Sequence, residues 1–310
     1  MAMENSLNYS AFELHFFDEK DIPDMRFLLL TAAICMTAGA AAAELSYANV
    51  FAKRHNFDVD GAGDLDVNTY GGVIEYRYDN WTFSGELGRV DIEDLDLDFA
   101  SVGAGYMMLN GVTLGLDHAR FEVLNFDADV TSAYAMYTFG AYGLGLSAGG
   151  SSDLNDPVYS VFGAWDVTRD GRVGFDFVRL EEDNLLSAYA DYNLDQYQVE
   201  ADLITAEDFV LLAVSGAYDI GNGFSAIGSL STFDAAGVDG NALTIGGQFS
   251  FAPGANVALA LGRIDVDGAE DIDLVTFGLQ YELGRKSSMR RTIANIFSDT
   301  TSSVAGLTDF

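Results

Sequence analysis

Cysteine is almost missing: Cys35 is the only one in 310 residues. It lies in a stretch that reads as an export signal, so the remaining chain uses neither disulfide nor thiol chemistry. Histidine is scarce too, with His55 and His118 the only two beyond residue 43. A membrane acyl hydrolase needs a serine, a histidine base and an orienting group, and no nucleophile signature stands near either histidine. Two histidines without cysteine do not build a structural zinc or haem site. No enzyme and no cofactor are therefore expected. Basic residues are few, 15 against 48 acids for a formal charge of −33, which repels phosphate backbones and excludes nucleic acid. Beyond residue 43 there is no run of about 18 apolar residues that would cross a membrane as a helix. Yet 49% of the chain is hydrophobic, which excludes ordinary disorder.

What is present begins with a leader. From Met25 to Ala43, one basic residue, Arg26, precedes an apolar run that ends in small residues, the layout of a secretory signal peptide. Cleavage is expected after Ala43. Residues 1–24 are acidic and fit badly in front of it, so they read as a mis-called extension with Met25 the start. Ile34 stands before Cys35 where lipid attachment takes a small residue, so no lipid anchor is expected there.

From Glu44 to Gly284 the chain breaks into short alternating segments separated by Gly, Asp and Asn clusters, an all-β pattern. Sixteen segments begin near residues 44, 67, 80, 96, 110, 130, 141, 157, 171, 185, 195, 208, 223, 242, 255 and 272. The clearest is Asp273 to Leu283, where Val275, Phe277, Leu279, Tyr281 and Leu283 oppose Thr276, Gly278, Gln280 and Glu282. A strand repeats every two residues, so this is one apolar and one polar face. Leu186 to Leu194, Tyr197 to Leu203, Val173 to Phe177 and Leu243 to Phe251 alternate in the same way. In 44–53 and 157–166 the phase reads either way. Aromatic residues such as Trp81, Tyr106, Phe139, Tyr142, Trp165, Tyr218 and Tyr281 gather toward segment ends, as in an interfacial girdle. Their high strand propensity is the other account of the same pattern.

The connections fall into two alternating classes. Asp79-Asn80, Leu109-Asn110-Gly111, Gly140-Ala141, Asp170-Gly171, Leu194-Asp195, Asn222-Gly223 and Pro253-Gly254 are tight. The stretches 54–66, 91–96, 122–129, 149–157, 181–184, 205–208, 233–241 and 264–273 read as longer acidic loops. Strict alternation puts each class at one end of an up-and-down sheet. This predicts an antiparallel transmembrane β-barrel of about sixteen strands, with short periplasmic turns and acidic external loops. After Gly284 come Arg285, Lys286, Arg290 and Arg291 and then a Ser/Thr-rich run, so 285–310 reads as a tail.

On these features, residues 44–284 resemble Gram-negative outer-membrane porins, most closely the short-looped general porins of α-proteobacteria. The most specific piece is Thr276-x-Gly278-x-x-Tyr281-x-Leu283, which is similar to the assembly signal of the last strand of such barrels. Two features depart from the family: residues follow this strand, and the third loop, 122–129, is too short to fold into an eyelet. The resemblance implies an outer-membrane location and contact with outer-membrane lipid and lipopolysaccharide. It also implies folding by the barrel-assembly machinery, a homotrimer, and passive diffusion of small hydrophilic solutes and cations. Alternatives of other classes are a non-conducting structural or adhesive barrel and a soluble secreted β-sandwich.

In the channel reading, the expected pore-lining residues are Glu75, Arg77, Glu86, Asp117, Arg172, Asp176, Asp191, Gln198, Glu200, Asp202, Gln248, Gln280 and Glu282. Acids dominate that set, and carboxylates at a channel wall concentrate cations, so cation preference is expected. Asp58-x-Asp60-Gly61 and Asp265-x-Asp267-Gly268 look like pieces of calcium loops but lack the closing glutamate. Asp58, Asp60, Asp265 and Asp267 are therefore weak rim candidates for Ca²⁺ or Mg²⁺, and Asp-Gly is also a favoured hairpin corner.

Overall fold

The computed structural model describes residues 44–284 except 60–62, 93–94, 124–125, 152–155, 181–182 and 269–270. The leader, residues 1–24, Asp60 and the tail 285–310 lie outside the described residues. Sixteen strands follow one another: β1 (Glu44–Val59), β2 (Gly63–Tyr78), β3 (Trp81–Ile92), β4 (Leu95–Met107), β5 (Val112–Val123), β6 (Phe126–Phe139), β7 (Tyr142–Gly150) and β8 (Val158–Thr168), then β9 (Gly171–Leu180), β10 (Asp183–Leu194), β11 (Tyr197–Ala206), β12 (Phe209–Gly221), β13 (Phe224–Ala235), β14 (Val238–Ala252), β15 (Ala255–Val266) and β16 (Ile272–Gly284). Each strand pairs antiparallel with its sequence neighbours, and β16 pairs with β1 to close the barrel. Closure leaves no edge strand with unpaired backbone groups, which is the condition for a sheet to sit in hydrocarbon. Among the described residues no helix is long and apolar enough to cross a membrane, which bears only on helices.

The tight connections obey turn chemistry. Asn222-Gly223 has positive φ at both residues, 57° and 81°, the two-residue hairpin turn that Asn-Gly favours. Pro253-Gly254 needs its glycine, because a Cβ at Gly254 would lie 1.9 Å from the Glu282 carbonyl oxygen.

The acidic stretches are shorter as connections than the sequence suggests, because strands run through them. β2, β6 and β14 begin at 63, 126 and 238, four residues before the alternation appears to start at 67, 130 and 242. The added residues include Asp64-Leu65-Asp66, Ala128-Asp129 and Asp239-Gly240-Asn241. They alternate like the rest of the strand but in the opposite phase. In β16, Tyr281, Leu279, Phe277 and Val275 share one face, and the next residue on that face is Asp273. In β15 the same face runs Val257, Leu259, Leu261 and then Arg263 and Asp265. The outer face is thus apolar over the part of each strand nearer the tight turns and charged near the other end.

The interior inverts in step. Near the acidic end the inward residues are apolar: Val130, Val158 and Val178 pack with Leu180 and Leu185, and Ile204 and Leu211 pack with Leu185, Phe209 and Phe233. Phe99, Ile264 and Leu274 continue this buried collar on β4, β15 and β16. Below it lie buried small polar residues, among them Ser101, Ser147, Ser187, Ser215, Ser229, Ser231, Thr244 and Thr276. Inward aromatic rings lie flat over glycines of the adjacent strand. A Cβ at Gly88 would sit 1.9 Å from Phe99 Cζ, and one at Gly145 2.3 Å from Phe162 Cζ. Glycine beneath each ring lets it lie along the wall instead of projecting into the lumen.

The two ambiguous segments now have a phase. In β1, Asn49, Phe51, Lys53 and His55 face inward, with Lys53 Nζ 5.1 Å from the Phe51 ring centroid. In β8, Val158, Ser160, Phe162 and Ala164 face inward, and Tyr159, Val161 and Trp165 are exposed outside. Each carries apolar residues on both faces, so alternation alone had nothing to choose by.

Candidate functional site: the barrel wall

Cross-strand partners project to the same side of a sheet, so the register sorts every strand residue by face. Glu75 pairs with Ser84, and Glu86 with Ser101. Asp117 pairs with Gly103 and Ser132. Asp176 pairs with Ser187, Asp202 with Tyr189, Asp191 with Arg172 and Glu200. Gln248 pairs with Ser225, Gln280 with Asn256 and Glu282 with Asn49. These residues, with Arg77 opposite Thr82 and Gln198 opposite Ala217, all fall on the interior face. Glu75, Glu86, Asp176 and Asp202 are buried there.

Several interior groups hold one another. Ser46 Oγ donates to Glu75 Oε1 at 2.9 Å, and Gln280 Nε2 donates to Asn49 Oδ1 at 3.3 Å. Arg172 Nε donates to Asp166 Oδ1 at 2.7 Å, so one of the inward cations is neutralised beside the wall. His55 Nδ1 lies 3.0 Å from Thr276 Oγ1, and that pair ties the first strand to the last inside the barrel. In the last strand, Thr276 and Gly278 are on the interior face, and Tyr281 and Leu283 are exposed outside.

Sequence reasoning missed Asn49, Lys53 and Asp166, which lie in the two segments whose phase was open, and His55, which lies in the stretch 54–66 that reads as a loop but where β1 continues to Val59. It also missed Ser187 and Ser231, whose buried hydroxyls have no hydrogen-bond partner. No signal in the sequence singles out one serine among many.

The outer face has two zones. Near the tight turns, aromatic rings touch around the barrel: Tyr137 to Phe139, Phe139 to Tyr142 and Tyr142 to Trp165 lie 5.4–5.6 Å apart between centroids. Trp81 meets Tyr106 at 5.0 Å, and Phe224 meets Phe249 at 4.6 Å. Near the other end, charges pair instead. Arg54 binds Asp66 at 2.8 Å, Arg263 binds Asp273 at 2.8 Å and Asp271 at 3.3 Å, and Arg89 binds Asp96. His118 belongs to this outer belt, 2.9 Å from Thr131 Oγ1 and 3.9 Å from Asp129.

Of the rim candidates, Asp58 and Asp265 are strand residues of that outer belt, and Asp267 donates its backbone N–H to the Asp239 carbonyl. Among the described residues no group of three or more His, Cys, Asp or Glu is placed to hold a metal ion. In the β11–β12 connection, the hydrogen bond with Asp183 and repulsion from Asp183 and Asp208 push the Glu207 carboxyl above the usual range.

No family model matches the chain, and no curated protein matches it. Among solved structures it is similar to a multiply substituted mutant of the Rh. blastica porin, at TM-score 0.49 and 15% identity over 77% of this chain and 100% of that one. It is also similar to Pseudomonas aeruginosa OpdO, at TM-score 0.48 and 14% identity over 77% of this chain and 96% of that one.

Proposed function

We propose that this chain is a porin: a channel through which small hydrophilic solutes diffuse across the outer membrane of a Gram-negative bacterium, with preference for cations. The observation that carries this reading is the wall itself. A sixteen-stranded ring is too wide for side chains to fill, and its interior carries Glu75, Glu86, Asp176 and Asp202 while an apolar band faces out. Cations gather at such a wall, and the inward basic residues Lys53, Arg77 and Arg172 are outnumbered. Attraction at a distance is screened beyond about 8 Å at physiological salt, so selectivity weakens as salt rises. Connections such as Glu207-Asp208 and Ala236-Gly237 leave little projecting surface for an adhesive role.

In this reading residues 25–43 direct export and are removed, and 1–24 are not made. The basic tail 285–310 stays in the periplasm, and Thr276, Gly278, Tyr281 and Leu283 present the last strand to the assembly machinery. Lipopolysaccharide surrounds the charged outer belt.

Reconstitution in planar bilayers tests the channel. Stepwise K⁺ conductance is expected, and its absence sinks the reading. In a KCl gradient the reversal potential should have the cation-selective sign. The double change Glu75→Gln, Glu86→Gln should move the permeability ratio toward unity at low salt.

A further inference from the structure

The tight turns lie at the end of the barrel where β16 stops, and the β4–β5 turn is unlike the others. Met107, Met108 and Leu109 are exposed there, and Leu109 stands fully clear of its neighbours. The tips at Asp79-Asn80, Gly140-Ala141, Asp195-Gln196 and Asn222-Gly223 carry no large apolar side chain. Backbone bonds order this turn: Met108 N–H donates to the Val112 carbonyl at 2.7 Å, and Gly111 N–H to the Met108 carbonyl at 3.0 Å. Single exposed apolar residues need no explanation, but three in a row on an ordered turn form a patch.

The rim beside this patch is acidic. Met107 N–H donates to the Asn80 carbonyl at 2.8 Å, so the patch adjoins the turn that carries exposed Asp79. Back toward β16 come exposed Glu44, at the start of β1, and half-buried Glu282. Arg77, opposite Glu44, offsets one of these three acids. From β16 to β4 the rim therefore passes from acidic to apolar.

The chain after β16 passes from basic to apolar in the same direction. Arg285, Lys286, Arg290 and Arg291 come first, then Ile293, Ile296 and Phe297 at the spacing of one helical face, with no acid before Asp299. Gly284 has a φ of 76°, and a Cβ there would lie 2.2 Å from the Ser46 carbonyl oxygen. The backbone thus leaves extended geometry beside β1, on the side that leads to β4. Strand β4 is four places from β16 around the ring, about 25 Å along the rim at ordinary spacing and tilt. The nine residues from Gly284 to Ile293 reach about 30 Å when extended.

We propose that residues 285–297 fold back along the rim of their own barrel. The basic residues lie over Glu282, Glu44 and Asp79, and Ile293, Ile296 and Phe297 cover Met108 and Leu109. The charged part joins exposed groups and weakens with salt, while the apolar part anchors the segment. The proposal rests on β16 ending beside the tight turns and does not require conduction.

The first test places Leu109→Cys and Ile296→Cys together in a Cys35→Ser background, which has no other cysteine. In the barrel folded into lipid vesicles, this pair should form an intramolecular disulfide about tenfold or more faster than Asp195→Cys with Ile296→Cys. Equal rates, as a Leu109 seated in lipid would give, overturn the proposal. The second test is trypsin cleavage after Arg290 and Arg291 in the unaltered chain. Leu109→Asp, and separately Phe297→Asp, should speed that cleavage about fivefold or more, and no change in either overturns the proposal. Both tests read the same way on a barrel that passes no K⁺, so absent conductance refutes the channel reading alone.

Discussion

The barrel is two cylinders of opposite polarity joined on the same sixteen strands. Toward the tight turns, the outside carries exposed Val275, Leu279 and Tyr281 and the inside carries Glu75, Glu86 and Gln280. Toward the acidic end, the outside carries Arg54, Asp66, Arg89 and Asp273 and the inside carries Phe99, Val178, Leu211 and Leu274. The first arrangement suits hydrocarbon outside and water inside. The second is the arrangement of a water-soluble barrel, which buries its apolar face inward. β1 and β2 run sixteen residues, beyond the 9–11 that span a membrane, whereas β7, β9 and β11 run only 9 or 10, so only the longer strands have residues to spare at the charged end. Outer polarity follows the medium at each height, and inner polarity follows what the lumen is asked to hold.

The largest effect should come from the collar. Leu211 is 0% exposed and Leu212, its neighbour in β12, is 44% exposed on the outer face. Leu211→Ala should cost about 2–5 kcal/mol, and Leu212→Ala clearly less, in urea unfolding from lipid vesicles. Equal losses would mean that the collar is not a packed layer.

The next contrast uses the outer face of β14 alone. Ile245 is 66% exposed in the apolar band, and Asn241 lies on the same face in the charged zone. An arginine at Ile245 (Ile245→Arg) should cost about 2–4 kcal/mol, whereas Asn241→Arg should cost about 0–1. If both changes cost the same, the boundary between the two zones is misplaced.

A smaller effect separates wall from lumen. Gly88→Ala drives a methyl into the Phe99 ring and should destabilise by about 1–3 kcal/mol, with much of the loss recovered by adding Phe99→Leu. No recovery would show that the ring does not lie on that glycine.

Much of this was legible in residue order. Period-two alternation marked sixteen strands, and Gly, Asn and Asp marked the tight turns. The pairing of the last strand with the first followed from the up-and-down order and is seen in the Lys53 to Gly278 register. What misled was the assumption that acid means loop. In Asp64-Leu65-Asp66-Val67 the alternation is as strict as in β16. Its phase is reversed, and reversed alternation resembles a break in the strand. The candidate wall residues were read from the segments where the phase was clear. Asp166 and Lys53 were passed over where both faces carry apolar side chains, and His55 because 54–66 reads as a loop while β1 runs on to Val59.

The sequence by itself therefore determined the number of strands, their order and most turns. These depend on local alternation and on backbone conformations that only certain residues adopt. Tertiary structure alone decided the height at which inside and outside exchange polarity. That height depends on how far each strand slides against its neighbours, a property set by hydrogen-bond register around the closed ring and carried by no single segment. It also decided which buried serines lack a partner, because a hydroxyl finds its partner across strands and not along one.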